Sequence, residues 1–538
     1  MRPLTHHLTT LWKWLVAAGR GRAQSDAKSI PAESTEHEAI AHGPWLVGPV
    51  VGAVEPHAAN LWVRGHEPGP VYAWVGQRHD LRDARLAGQA QRREDGGHAA
   101  VVRIEGLEPA TRYFYTLTSS PTRPALVETP PSFRTAPASP RAVGPFTFVF
   151  GSCFAPHNPF GEGSVHRLLQ LLERDDAPDF GLLIGDQVYP DQAWNNGLGR
   201  VALTLEDYRE VYRIAWAQTA WREALARLPW YMMWDDHEVD NDWAWTTQDR
   251  IEAQIPWLNR FWRWLRHAPP EARQLTRRRI TAAIHAFWEH QLLHAPRLIR
   301  PPETAPDGRP LLLTSDRGHF SYAFTYGPAA FYVMDLYSHR VSGPYGRALM
   351  NSAQWADLEQ WLLRVRDAYP IKFIVTPDTV FHHSLIPWGL AAWTDFPDDR
   401  RRLIHLLAAH QVDGVFLLSG DIHLGYALEA YLEGAEGPLP VWEFTASPWG
   451  QATPPWGFKL SRIARVPGVR HAGWLARWIG PNFGWVRFAG GPRPWVQFRL
   501  ETPDGPVYEA RFVRMRQGWR RVQPEDEQGS THASSFRR

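Results

Sequence analysis

The 538-residue chain has a single cysteine, Cys153. One thiol cannot form an intrachain disulfide, and nothing in the sequence points to an oxidising compartment. An excess of charge of one sign is also missing. Lys plus Arg is 58 and Asp plus Glu is 56, a net +2, so there is no basic surplus of the kind that marks a nucleic-acid binder. No apolar run approaches the length of a bilayer span. A GxSxG elbow and a GxxxxGK[ST] loop are both absent, so serine-hydrolase and P-loop chemistry find no support. What is present, 44% hydrophobic and 21% charged residues, is globular and too long for one ordinary domain.

The ends carry little pattern. LWKWLVAAG (11–19) is apolar, but Lys13 interrupts it and no twin-arginine pair precedes it. A surface helix or a disordered leader is expected there rather than a signal h-region, and so a cytoplasmic location rather than export. Residues 1–43 read as leader and linker, partly disordered, and EDEQGSTHASSFRR as a solvated tail.

Between about 44 and 137 the texture is of short strands: NLWVRG, VYAWVG, AAVVRIEGL, ATRYFYTLT and PSFRTAP, broken by Gly, Pro and Asp. Such spacing predicts a small antiparallel β-sandwich. GLEPATRYFYTL (106–117) resembles a strand-turn-strand of fibronectin type III domains. PASPRAVGP (137–145) reads as a boundary. From 145 to 500 continuous apolar runs alternate with helical patterns at 164–175, 205–218, 352–368 and 401–411. Runs of that kind suit strands buried on both faces, and the alternation predicts α/β layers. Residues 501–538 are assigned to C-terminal strands and the tail.

Four of the apolar runs end in groups that bind metal well. FTFVF stops at Gly151-Ser152-Cys153. FGLLI stops at Gly185-Asp186, with Tyr189 following. WYMMW stops at Asp235-Asp236-His237-Glu238, and VFLLS at Gly420-Asp421-Ile422-His423. In open α/β sheets ligands gather beyond the carboxyl ends of strands. Asp186 and Tyr189 are three apart, so one turn brings both toward a point; Asp421 and His423, two apart, share one side of an extended segment. The glycines let the backbone turn tightly near an ion. So many acids close together repel and are costly to desolvate, which calls for a cation.

The motifs GSC, GDQVYPD, WDDHEVDND and GDIH, in this order, resemble the metallophosphoesterases, and more narrowly the PhoD type of alkaline phosphatase, over roughly residues 44 to 500. The resemblance implies a four-layer α/β/β/α sandwich, preceded by a fibronectin-like β-sandwich, with Fe(3+) and Ca(2+) at its centre. By resemblance, Cys153, Asp186, Tyr189 and His423 ligate iron. Asp186 bridges to a second site that Asp236 or Asn241, with Asp421, completes, and His237 sits beside the scissile phosphate. The implied activity is metal-dependent hydrolysis of a phosphoric ester by a metal-activated hydroxide. The alternatives are a phosphodiesterase or phospholipase D-like hydrolase of the same fold, or a non-catalytic surface-binding protein.

Blander readings stand beside these. Asp235 and Glu238 serve equally well as structural partners of a turn, and Asp240 and Asp242 are expected to be solvated. His382 and His383 are expected to be packed or exposed rather than ligands. In DLYSHR (335–340), Tyr337 departs from the family's arginine, which puts a phosphate role for Arg340 in doubt. The tryptophans cluster at Trp216, Trp221, Trp230, Trp234, Trp243, Trp245, Trp257, Trp262 and Trp264. PWLNRFWRWLRH and residues 460–480 are expected to be helices packed over the sheet, arginines toward water, or a lid. Contact with a lipid surface is the less favoured reading.

Overall fold

The computed structural model describes residues 45–123, 129–155, 163–311, 318–343, 346–384, 393–453, 459 and 461–522. The expected leader and linker and the C-terminal tail lie outside them. The described residues belong to one compact unit.

Two seven-stranded sheets carry most of the chain. The first runs Trp230–Met233, Phe180–Ile184, Phe146–Gly151, Phe483–Ala489, Trp495–Thr502, Gly505–Met515, Gly518–Val522. Its first three strands are parallel and the rest antiparallel. The second runs Tyr322–Tyr326, Ala329–Val333, Ile371–Val375, Val415–Ser419, Gly437–Thr445, Gly425–Gly434, Val469–Trp478, with a parallel centre and antiparallel margins. The six apolar runs preceding polar turns are therefore all strands, and they are buried on both faces as their composition requires.

The sheets meet through phenylalanine. Phe148 stacks on Phe180 at 5.1 Å and meets Phe373 edge-on at 5.1 Å and Phe331 at 5.5 Å, while Phe444 stacks on Phe498 at 4.2 Å. Alternation then sends Val149, Leu183, Trp230 and Met232 the other way, into a cluster with Leu168, Leu171, Ala220 and Trp221 of the helices Gly163–Leu172 and Thr219–Arg227. Trp216, Trp221, Trp230, Trp234, Trp243 and Trp245 are fully buried packing residues.

The N-terminal strands form a three-stranded and a four-stranded antiparallel sheet, Val47–Val54, Ala58–Arg64, Ala99–Glu105 and Arg85–Arg92, Gly69–Gly76, Arg112–Thr118, Ser132–Arg134. Hydrogen bonds tie them to segments far along the chain: Trp62 Nε1 donates to the Glu289 carbonyl at 2.8 Å, Tyr115 to Ala226 at 2.8 Å, and Tyr231 back to Val54 at 3.0 Å.

Two expectations about the basic aromatic segments are corrected. The described part of 460–480, residues 461–480, is not helical: Ser461–Ile463 and Val469–Trp478 are strands, the latter pairing with Gly425–Gly434 at the sheet margin. Trp257–Leu265 is a helix, but its arginines do not all face water. Arg263 points inward, while Trp257, Phe261, Trp264 and Leu265 are exposed.

The aromatic layer between the sheets should dominate stability. Phe148→Ala should cost about 3–5 kcal/mol, read as a lowered denaturation midpoint, whereas Leu363→Ala, at an exposed helix position, should change it by about 0.5 kcal/mol or less. Equal effects would mean that the layer is not the principal core.

Candidate metal centre

The polar turns at the strand ends come together around Asp186. Its Oδ2 accepts from the Tyr189 hydroxyl at 3.1 Å and lies 3.4 Å from Cys153 Sγ; its Oδ1 accepts the His237 backbone N–H at 3.2 Å. His423 Nε2 is 3.5 Å from the Tyr189 oxygen. Three groups of side chains place donor atoms within 4.8 Å of one another: Cys153, Asp186 and His423; Asp186, Asp236 and His237; Asp186, Asp235, Asp236 and Asp421. Asp186 belongs to each.

Local backbone makes this convergence. Cys153, Asp186, Asp421 and His423 all have positive φ, 64°, 56°, 65° and 53°, a left-handed conformation that costs on the order of 1 kcal/mol or more per non-glycine residue. The flanking glycines serve mainly close approach. A Cβ on Gly185 would lie 2.3 Å from Asp235 Cβ, one on Gly420 2.4 Å from Ser152 Oγ, and one on Gly151 2.5 Å from the Trp449 indole nitrogen. Of these glycines Gly185 alone combines contact with positive φ, +82°.

The electrostatics are those of crowded, dry carboxylates. Burial first, then neighbouring acids, lifts Asp235 and Asp421 well above the usual carboxylate range; for Asp186 the Cys153 thiol follows burial as a cause, ahead of the acids. Among the described residues, both carboxylate oxygens of Asp235 and Oδ1 of Asp236 are buried with no hydrogen-bond partner. Burial, with Asp421 second, pushes the Cys153 thiol up to about 12, and burial and Asp186 lift the Tyr189 phenol. A cation among these groups would reverse each shift. The residues therefore fit a metal pair. A thiol, a phenol and an imidazole surround one side of Asp186, suited to a transition metal, and carboxylates the other, suited to a hard ion. His423 Nδ1 lies 2.7 Å from the Ala452 carbonyl, which assigns the proton to Nδ1 and leaves Nε2 free to ligate. Burial keeps that ring neutral, down to about 4.

His237 is oriented differently. Its Nδ1 is 2.7 Å from Asp191 Oδ1, its Nε2 3.4 Å from Gln192 Nε2, and its ring lies against Tyr189 at 4.3 Å. Burial alone would lower its pKa; Asp191 and Asp236 more than reverse that, to about 10. Asn241 is held by other bonds: its side-chain amide donates to Asp242, and its backbone N–H to Asp191 at 3.4 Å.

The structure corrects some of the sequence readings, bears out others, and brings in residues the sequence left unassigned. Asp240 and Asp242 are buried, not solvated: Asp240 pairs with Arg263 and Arg279, each at 2.6 Å, and these arginines hold its pKa down against burial. His382 is packed, 2.8 Å from Ser461 Oγ, and His383 is exposed. Glu238 takes the structural reading, accepting backbone N–H groups of Asp235 at 2.8 Å, Gln187 at 2.9 Å and Asp186 at 3.0 Å, and the Gln291 amide at 3.1 Å. Asp191 had gone unassigned inside GDQVYPD. Asp378, after KFIVTP, ends a fifth apolar run in the same way. It meets Arg340 at 3.3 Å and the Tyr337 hydroxyl at 3.5 Å. Arg340 is fully buried against Tyr337 and Phe396, with Nε and Nη2 unpartnered.

Facing sheets with acidic and imidazole groups on strand ends define a metallophosphoesterase-like α/β protein. The chain belongs to the PhoD-like phosphatase family, whose model matches residues 148–463. It is 24% identical over 395 residues to alkaline phosphatase D of Bacillus subtilis (strain 168); the match spans 68% of this chain but 60% of that relative's length. A solved PhoD structure has a TM-score of 0.63 and 20% identity, covering 90% of this chain and 92% of its own. A purple acid phosphatase isolated from yellow lupin (Lupinus luteus) seeds has a TM-score of 0.52 and 12% identity, covering 86% and 73%. The two structures share the fold.

Glu238→Ala would orphan three buried N–H groups, at about 1–3 kcal/mol each. The thermal midpoint should fall, and bound metal with it, while Glu238→Gln should be milder. An unchanged midpoint with unchanged metal content would place the bracing elsewhere.

Proposed function

We propose that the protein is a metal-dependent phosphoric ester hydrolase, with Cys153, Asp186, Tyr189 and His423 holding a ferric ion, and Asp186, Asp421 and either Asp236 or Asn241 a calcium ion. The observation that carries the reading is that Asp186 offers a donor to all three candidate ligand groups; one carboxylate can serve two ions. Such ions lower the pKa of bound water and neutralise charge on the phosphate.

The chain's own groups do the rest. Asp191 holds His237 by Nδ1 and favours its protonated form, so Nε2 can donate to a phosphate oxygen or to the leaving oxygen. The spare donors of Arg340 suit a phosphate oxygen. Buried, braced side chains stay fixed as charge develops.

The finer architecture belongs to the same proposal: residues 145–500 as a four-layer α/β/β/α catalytic domain and 44–137 as a fibronectin-like sandwich. Two observations support it, the phenylalanine layer between the seven-stranded sheets and the Tyr113 hydroxyl, which accepts the Glu108 N–H at 2.9 Å in the manner of a tyrosine corner.

Asp186→Asn should abolish hydrolysis of an aryl phosphate ester and lower bound metal; full activity at unchanged metal content would end the assignment. His237→Ala should cut turnover on the order of a hundredfold or more with metal retained. Loss of all metal would instead make it a ligand, and unchanged turnover would make it structural.

Colour tests the ion. A thiolate and a phenolate donate charge into ferric iron, so active protein should absorb visible light. Tyr189→Phe should bleach or shift the band and Cys153→Ser shift it differently. Active, colourless protein containing zinc alone would overturn the iron assignment.

A further inference from the structure

The helix Trp257–Leu265 is amphipathic in the reverse of the usual sense. Its polar side faces the protein: Asn259 Nδ2 donates to the Asn241 carbonyl at 3.3 Å, and Arg263 pairs with Asp240 at 2.6 Å and lies 3.6 Å from Asp191. Its apolar side faces out. Trp257 is 75% exposed, Trp264 56%, Leu265 48% and Phe261 43%, and helical spacing sets these four on one face. Trp194, 59% exposed, lies beside the helix end with Arg266 stacked on it at 4.5 Å. An ordinary surface helix turns such a stripe into the core, so this one is built to meet something apolar.

We propose that this face docks the protein on an anionic lipid surface, the aromatic side chains entering the headgroup boundary.

Three observations favour that occupant. The first is charge: Arg260 and Arg266 are exposed on and just after the helix, and Glu271 is the acid of residues 256–280. A Trp, Phe and Leu stripe rimmed by arginine is the composition of helices that lie in the interface plane. The second is area. The exposed side chains present roughly 600 Å², at the small end for a stable protein interface, so the face favours a second copy of the chain less. The third is anchoring. A lid that swings would have to break the buried Arg263–Asp240 pair, which is costly, and the aromatics point away from the acidic cluster that Arg263 faces. No helix among the described residues is long and apolar enough to cross a membrane, so the contact would be lateral. The inward bonds of the same helix reach Asp240 and Asp191, and Asp191 holds His237, so docking would bring the candidate metal centre near the lipid surface.

The test is co-sedimentation of the full chain with phosphatidylglycerol vesicles and with phosphatidylcholine vesicles. The protein should pellet with the anionic vesicles, less at high salt, and less with the zwitterionic ones. The double variant Trp257→Ser, Trp264→Ser should weaken that binding by about tenfold or more per tryptophan, and Arg260→Glu with Arg266→Glu should weaken it on anionic vesicles. Hydrolysis of a small soluble aryl ester by the tryptophan variant should stay within about twofold of the parent, which shows that the fold survives. Equal pelleting of parent and tryptophan variant would overturn the proposal. So would a parent that never pellets, a dimer in sedimentation velocity that the same substitutions dissolve, or a shift between small and bulky esters with vesicle binding unchanged.

Discussion

Mutual repulsion among buried carboxylates is the constraint around which the rest of the molecule is arranged. Asp186, Asp235, Asp236, Asp378 and Asp421 sit together, buried or nearly so, where the charges are poorly solvated and Asp235, Asp236 and Asp378 raise the pKa of Asp421. A loose chain would spread them apart. Here they cannot spread, because each terminates a strand that is itself locked between two cores. The facing phenylalanines fix one side of the first sheet and the tryptophan-rich helices the other. Close packing transmits that rigidity to the turns.

Bracing continues into the turns by hydrogen bonds rather than by more charge. Glu238 gathers the N–H groups of Asp235, Asp186 and Gln187, which ties the third polar turn to the second. Glu443 does the same between Val380, Phe381 and Ser419 on the other sheet, and Asp335 collects Trp234, Phe320, Tyr337 and Ser338. The function of these acids is to hold backbone, and a cation pair (Arg263 and Arg279 on Asp240) neutralises the remainder.

How much of this could be read in the sequence depends on what is local. A short apolar run ending in Gly-Asp is a local signal, so the strands, their ends and the groups Cys153, Asp186, Tyr189, Asp421 and His423 were legible. Asp378 comes after proline rather than glycine, so VTPD lacks that signal. Asp191 acts through His237, 46 residues away, and nothing near it says so. Asp240 read as solvated because its arginine partners lie beyond several intervening elements. Val469–Trp478 scatters arginine and tryptophan at helix-like intervals, yet pairing with Gly425–Gly434 decides its state, a non-local choice. The helix Trp257–Leu265 was legible as a helix; its facing was not, because periodicity locates a stripe without saying which side is wet.

The strained backbone connects these points. Cys153, Asp186, Asp421 and His423 each hold a left-handed conformation, and each is a proposed ligand. Strain at one such residue could be a turn's accident; strain at four of them, following three different strands, is geometry that the sheets impose on the turns. The chain then carries both the conformational and the electrostatic cost in the native state. A ligand that binds the native state alone returns stability in proportion to its affinity, and a cation here would remove repulsion without moving any strand. Folding and site assembly are in that sense the same event: the aromatic layers that make the sheets rigid also force the acids together, and the acids together make a place that a cation can occupy at little cost in reorganisation.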